Sequence, residues 1–78
     1  MSDTELYDLS GLKCPLPVLK TRMRMRDMAP GDKISVKTTD PLAMIDLPHF
    51  CHEFGHDLLL VDEGEGYHVF TIAKGVQS

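Results

Sequence analysis

The sequence predicts an α+β fold: a two-layer α/β sandwich of one mixed four-stranded sheet with two helices on one face. Three observations lead to this prediction. The chain has 78 residues, enough for one small core, so we expect a single domain over residues 1–78 with its core at about 5–75. Alternating apolar and polar residues predict strands, and prolines at two places predict helix starts. The elements then follow in the order βαβαββ.

The first half of the chain predicts a strand, a helix and a second strand. Residues 5–10 resemble a strand that ends before Gly11. A helix is expected from Pro15 to about Met28, because proline fits the first turn of a helix. Lys33–Thr38 alternate cleanly between apolar and polar side chains, which is typical of a strand with one buried face.

A second helical region begins at Asp40-Pro41, a capping residue followed by proline. We expect only a short turn up to Asp46, because the ring of Pro48 clashes with a carbonyl one turn earlier and interrupts the helix. A helix is then predicted from Pro48 to Phe54. Helix capping is a sufficient explanation for Asp40 and Asp46, so neither needs a catalytic role.

The last part of the chain predicts a β-hairpin. Gly55 suits the left-handed residue that follows a helix end. Two strands, residues 57–62 and 67–74, are then joined by residues 63–66. Gly64 and Gly66 lie in that turn among acidic residues, which disfavour phosphate binding, and hairpin geometry accounts for both glycines.

Charge is distributed unevenly along the chain. The net charge of the chain is −4, yet residues 13–26 hold five basic residues and no acidic one. The rest of the chain therefore carries a net charge of −9. Such a cluster is commonly a solvated helix face. Here it begins at a cysteine, Cys14, which favours a positive field around the sulfur instead.

Cys14 lies in the run Lys13-Cys14-Pro15-Leu16-Pro17, which places it at the N-cap of the first helix. Free N–H groups and the helix dipole at that end stabilise a thiolate, the reactive form of cysteine. We therefore expect Cys14 to be catalytic, exposed and ionised. Lys13 would activate it, and Pro15 and Pro17 would hold the helix start rigid. No general base is evident beside it, and an ionised cysteine needs none.

The first helix carries two apolar stripes, although a helix on a sheet buries only one. We assign the longer stripe, Val18 to Met28, to the core. The shorter stripe would then be exposed among basic residues, as in a docking surface. Alternatively, the helix rolls and buries part of both stripes. The predicted partner-docking residues are Leu16, Leu19, Lys20, Arg22, Met23, Arg24 and Arg26.

Residues 11–17, Gly-Leu-Lys-Cys-Pro-Leu-Pro after a strand, resemble the Cys-Pro-x-Pro signature of the TusA/SirA family of small sulfur carriers. The likeness extends over about residues 5–75. The further landmarks are Pro30-Gly31-Asp32, Thr39-Asp40-Pro41, Asp46-Leu47-Pro48, Phe50-Cys51 and Gly55-His56. One departure is Leu16, where the branch that feeds tRNA thiolation has an acidic residue.

The resemblance implies a sulfur relay in which Cys14 accepts sulfane sulfur as a persulfide and hands it to a partner protein. The implied partners are a donor, a cysteine desulfurase or rhodanese-like protein, and an acceptor protein. The final pathway stays open among tRNA thiolation, molybdenum cofactor and sulfur oxidation. We expect no cofactor or metal, no membrane contact, a monomer, and a reducing cytoplasm, since two cysteines are too few for a disulfide scaffold.

Other residues offer alternative interpretations. Cys51 is either a resolving cysteine for Cys14 or, as we expect, a small core residue. His49, Cys51, His52 and His56 suggest a metal site, but Gly55 separates the last two and structural-zinc spacing is absent.

A different class of function is a regulatory or nucleic-acid-binding adaptor that uses the basic first helix. The acidic remainder of the chain opposes nucleic acid, so we expect no direct nucleic-acid contact.

Overall fold

The structure, a computed structural model, describes residues 4–75, so the ends of the predicted domain, 1–3 and 76–78, lie outside the described residues. Four strands and two helices occur in the predicted order: β1 Thr4–Leu9, α1 Leu16–Met25, β2 Lys33–Thr38, α2 Ala43–Phe54, β3 Asp57–Gly64 and β4 Tyr67–Ala73.

The four strands form one mixed sheet in the order β1-β2-β4-β3. β1 and β2 are parallel neighbours, with Leu9 opposite Thr38 at their carboxyl ends. β4 runs antiparallel to both β2 and β3. The predicted fold class is confirmed. Because each parallel strand is followed by a helix, α1 and α2 begin at the same edge of the sheet.

The core lies between the helices and one face of the sheet. Ile34, Val36, Phe70 and Ile72 of the two central strands are completely buried, and Leu47 of α2 packs into the same cluster. Burial of one such side chain contributes about 1.5–3 kcal/mol. Polar side chains of these strands lie on the opposite face, where the hydroxyls of Ser35 and Thr71 are 3.1 Å apart.

The predicted break at Pro48 is wrong, because α2 is one continuous helix that contains this proline. Its buried residues before and after Pro48 have the spacing of a single helix face: Ala43, Leu47, Phe50 and Cys51. An internal proline costs a helix about 3 kcal/mol, since one hydrogen bond is lost and the ring crowds a carbonyl. Burying one apolar face along the whole helix offsets this cost.

Other element ends differ by a few residues from the predictions. α1 ends at Met25, and the chain then turns, with the N–H of Met28 donating to the Met25 carbonyl at 3.1 Å. β3 and β4 pair as far as Gly64 and Tyr67. The hairpin loop is thus shorter than predicted, and its Gly66 has the positive φ of 81° that glycine tolerates. Gly55 ends α2 in the predicted left-handed conformation.

Candidate functional site

Cys14 is exposed at the sheet edge where both helices begin. Two hydrogen bonds hold the segment before α1 against the segment before α2. The N–H of Gly11 donates to Thr39 Oγ1 at 2.8 Å, and the N–H of Cys14 donates to Asp40 Oδ2 at 2.5 Å. The outward placement of the sulfur is as predicted.

The position of Cys14 relative to α1 differs from the prediction. Pro15 is the N-cap, so Cys14 lies one residue outside the helix. Few free N–H groups are near the sulfur, because Pro15 and Pro17 have none and the N–H of Leu16 donates to the Lys13 carbonyl at 2.8 Å. The N–H of Cys14 itself is bound by Asp40. The helix start therefore offers the sulfur little of the expected hydrogen-bond donation.

The surroundings of Cys14 in the unmodified protein do not favour the expected ionised thiol. Cys14 Sγ donates a hydrogen bond to Asp46 Oδ2 across 2.7 Å. That hydrogen bond, with the negative charges of Asp46 and Asp40, raises the pKa of Cys14 above its usual value. The residues that act on the sulfur are acidic, and Lys13, although adjacent and exposed, does not reverse their effect.

Asp40 does more than the predicted capping, and the capping role predicted for Asp46 is wrong because Asp46 lies inside α2. Asp40 acts as the predicted turn residue, since Oδ1 accepts the N–H of Leu42 at 3.1 Å, and its other oxygen holds Cys14. Asp46 lies in the first turn of α2 and contacts the sulfur directly. From the sequence no general base is evident beside Cys14, since Asp46 lies 32 positions further along the chain.

A shallow, mostly apolar groove of about 410 Å³ runs between α1 and α2 beside the sulfur. Phe50 and Phe54 form part of its wall, with ring centroids 5.3 Å apart. His49 Nε2 lies 3.0 Å from Glu53 Oε1 on the exposed side of α2. The residues that line the groove are Cys14, Pro15, Val18, Asp46, His49, Phe50, Glu53 and Phe54.

The two stripes of α1 are arranged as predicted. Thr21 and Met25 of the longer stripe are buried, whereas Leu16, Leu19 and Met23 are 42%, 45% and 60% exposed. The alternative of a rolled helix with both stripes partly buried is therefore not observed. The exposed stripe begins two residues after Cys14. Its role in docking stays a prediction.

The basic residues of α1 and its end have different environments. Arg24 forms an ion pair with Glu5 of β1 and is thus partly engaged within the chain. The guanidinium of Arg22 lies over the Phe54 ring at 4.8 Å, a cation–π contact between α1 and α2. Lys20 and Arg26 are exposed. Of the four predicted docking charges, Lys20 and Arg26 are thus available without breaking a contact described here.

The remaining candidate residues lie away from the sulfur. Cys51 is buried in the core, where desolvation raises its pKa to about 11, so the core interpretation holds. His56 is buried and its Nδ1 accepts the N–H of Gly75, whereas His52 is exposed. Within residues 4–75, no three His, Cys, Asp or Glu side chains are placed to hold a metal ion. No helix in this part of the chain is long and apolar enough to cross a membrane.

Comparison with known proteins bears on the family and the fold of this chain. The family model "Sulfurtransferase TusA" matches residues 5–74, nearly the whole chain. The chain belongs to the TusA family. The sulfur carrier protein TusA of Pseudomonas paraeruginosa is 39% identical over 69 residues, which cover 88% of this chain and 87% of that protein. The same protein of Pseudomonas putida strain W619 is 38% identical, with 88% and 86% covered.

A solved structure agrees with the fold of this TusA-family chain. The crystal structure of a SirA-like protein from Desulfitobacterium hafniense has a TM-score of 0.79 and covers 91% of this chain and 97% of its own. Its sequence identity is only 19%, so the likeness concerns the fold. Membership of the TusA family indicates sulfur transfer in the broad sense and interaction with sulfur-donor and sulfur-acceptor proteins. It does not favour an adaptor without sulfur chemistry.

Proposed function

We propose that this protein carries sulfane sulfur as a persulfide on Cys14, accepting it from one protein and delivering it to another. The observation that carries the proposal is the placement of Cys14. Its sulfur is exposed at the junction of two helix starts, and its backbone is fixed there by the hydrogen bond to Asp40. A sulfur held rigidly at the surface can enter a partner's active site.

The proposed transfer needs no redox partner. The Cys14 sulfur attacks the outer sulfur of the donor's persulfide, a new S–S bond forms on Cys14, and the donor's S–S bond breaks. The proton that leaves Cys14 is taken up by the released donor thiolate. Delivery is the same exchange in reverse, with an acceptor thiol in place of the donor. No organic cofactor or metal takes part in either step.

The raised pKa of Cys14 is compatible with this chemistry. It lowers the thiolate fraction of the unbound protein, but the nucleophilicity of each thiolate rises with its pKa. A donor that places a cationic side chain beside Asp40 and Asp46 would increase the thiolate fraction after docking. We therefore do not retain the activating role first assigned to Lys13. Pro15 and Pro17 keep the role of presentation, since both lie at the start of α1, which holds the sulfur outward.

For partner binding we propose the exposed side of α1, whose apolar stripe of Leu16, Leu19 and Met23 is flanked by Lys20 and Arg26. An apolar strip with a charged rim is typical of protein interfaces. Its positive charge fits donors and acceptors with acidic surfaces. The proposed donors are cysteine desulfurases and rhodanese-like proteins. We retain the predictions of a monomer and of a cytoplasmic location.

A two-step transfer experiment tests the proposal. The protein is incubated with a cysteine desulfurase and 35S-cysteine, separated from the donor, and mixed with a thiol acceptor protein. Label should move first to this chain and then to the acceptor. Cys51→Ser, the matched control at the buried cysteine, should carry label, and Cys14→Ser should carry none. Equal labelling of the Cys14→Ser variant and the unmodified protein would contradict the proposal.

A further inference from the structure

The side chain of Asp46 is in contact with the Cys14 sulfur, and helix capping does not account for its position. Its Oδ2 lies 2.7 Å from Cys14 Sγ and accepts the thiol hydrogen. For α2 no side-chain capping hydrogen bond is formed. The carboxylate is half-buried at the edge of the groove between the helices.

The thiol and the persulfide of Cys14 differ in what they offer this carboxylate. The thiol carries a hydrogen on Sγ and can donate it to Asp46. In the persulfide, Sγ is bonded to the outer sulfur and has no hydrogen to donate. A persulfide is also more acidic than the parent thiol, so its outer sulfur carries negative charge at neutral pH. The same carboxylate therefore attracts one form and repels the other.

We propose that Asp46 is a positioning residue that favours the unloaded form of Cys14 and thereby promotes delivery of sulfur. This inference rests on the proposed function. It adds that Asp46 shifts the equilibrium between the thiol and persulfide forms of Cys14 towards the thiol. In the unloaded protein the hydrogen bond holds the sulfur against α2. In the loaded protein that bond is absent, and charge repulsion directs the outer sulfur away from α2 towards solvent and an acceptor.

The other charged side chains near the sulfur make no hydrogen bond to it that loading would remove. Asp40 is also close, but its two oxygens accept the backbone N–H groups of Cys14 and Leu42, bonds that loading leaves intact. Glu53 lines the same groove and is paired with His49 at 3.0 Å. Lys13 is exposed beside Cys14. Asp46 is thus the charged side chain whose bond to Cys14 exists in one state and not in the other.

Sulfur exchange with a small persulfide measures the equilibrium constant for loading Cys14 directly. With glutathione persulfide as the probe, Cys14–SH and GS–S⁻ give Cys14–S–S⁻ and GSH; one S–S bond forms, one breaks, and the proton passes to glutathione. Asp46→Asn keeps the size and an accepting oxygen but removes the charge. We expect this variant to retain sulfur more strongly, with the loading equilibrium constant raised about threefold to tenfold.

Four further tests distinguish this electrostatic role of Asp46 from a merely structural one. The pKa of Cys14, from the pH dependence of alkylation, should fall in Asp46→Asn. Asp46→Glu, which restores the charge, should move the equilibrium back towards that of the unmodified protein. Glu53→Gln, the matched control on the same side of α2, should change neither quantity. The effect of Asp46→Asn should shrink at high salt, because surface charges are screened.

The possible outcomes separate the two proposals. If the unmodified protein takes no sulfur from the probe or from a donor protein, the proposed function fails. If it takes sulfur, and Asp46→Asn shows an unchanged or lower loading equilibrium constant, the function stands and the role of Asp46 is overturned.

Discussion

Asp40 holds the backbone of Cys14, although the two residues lie 26 positions apart: the Cys14 N–H donates to Asp40 Oδ2 at 2.5 Å. The other oxygen of the same carboxylate accepts the N–H of Leu42, the residue that precedes α2. One side chain therefore joins the starts of both helices. The position of the sulfur depends on this link.

Replacing Asp40 should destabilise the protein and loosen Cys14. Asp40→Ala removes both hydrogen bonds, and we expect the free energy of unfolding to fall by about 1–2 kcal/mol. Urea denaturation measures it. Asp62→Ala, on the exposed part of β3, is the matched control and should change stability by less than about 0.5 kcal/mol. Equal stabilities for the two variants would show that Asp40 does not hold the helix starts together.

Much of this fold could be predicted from local patterns. Alternation in β2, glycine after α2 and the two stripes of α1 depend on residues within one element, and each was predicted correctly. Pro48 was misjudged because its local cost is offset by burial of residues on both sides of it, which depends on tertiary packing.

The acidic surroundings of Cys14 could not be read from the local sequence, because they join segments far apart along the chain. A signal nevertheless existed. In a βαβαββ chain, parallel pairing of β1 and β2 brings their carboxyl ends, and therefore both helix starts, to one edge. Asp40 and Asp46 follow β2 in the sequence. Once β1 and β2 are known to be parallel neighbours, the topology therefore predicts carboxylates near Cys14.

The exposed stripe of α1 should contribute to partner affinity. We expect Leu19→Ser to weaken binding to a sulfur-donor protein about tenfold, because an apolar anchor is lost from the interface. Leu60→Ser is the matched control, since Leu60 of β3 is 52% exposed and Leu19 is 45% exposed. Isothermal titration calorimetry measures both. If the two variants bind equally well, the interface lies elsewhere.

The positive charge of α1 should affect binding through its salt dependence. Lys20→Glu should lower the affinity for an acidic donor, and the loss should be smaller at high salt, where charges are screened. Lys33→Glu, an exposed lysine on β2, reverses the same charge on another element and should have little effect. A loss of affinity that does not depend on salt would argue against electrostatic docking.

The two cysteines should differ strongly in reactivity. Cys51 is 2% exposed and its pKa is about 11, so it should resist alkylation at pH 8 until the protein unfolds. Cys14 is exposed and should react in the folded protein. Mass spectrometry after iodoacetamide treatment should find one modified thiol without denaturant and two with it. Rapid modification of Cys51 in the folded protein would show that it is not a core residue.

His56 should make the stability of the protein fall at acidic pH. Burial, with the charge of Lys74, lowers its pKa below the ordinary 6.5, while Asp57 opposes the shift. The unfolded chain therefore binds more protons below pH 6.5, and stability present above that pH is lost as the pH falls through the folded pKa. Urea denaturation over this range should show a smaller loss for His56→Gln. Parallel pH profiles for the two proteins would contradict this assignment.

The most direct test of sulfur carriage is the mass of the peptide that contains Cys14 after incubation with a cysteine desulfurase and cysteine. We predict a gain of one sulfur atom on that peptide, removed by a reducing agent and absent from Cys14→Ser. An unmodified Cys14 peptide, with the donor shown to be active on another acceptor, would contradict the account.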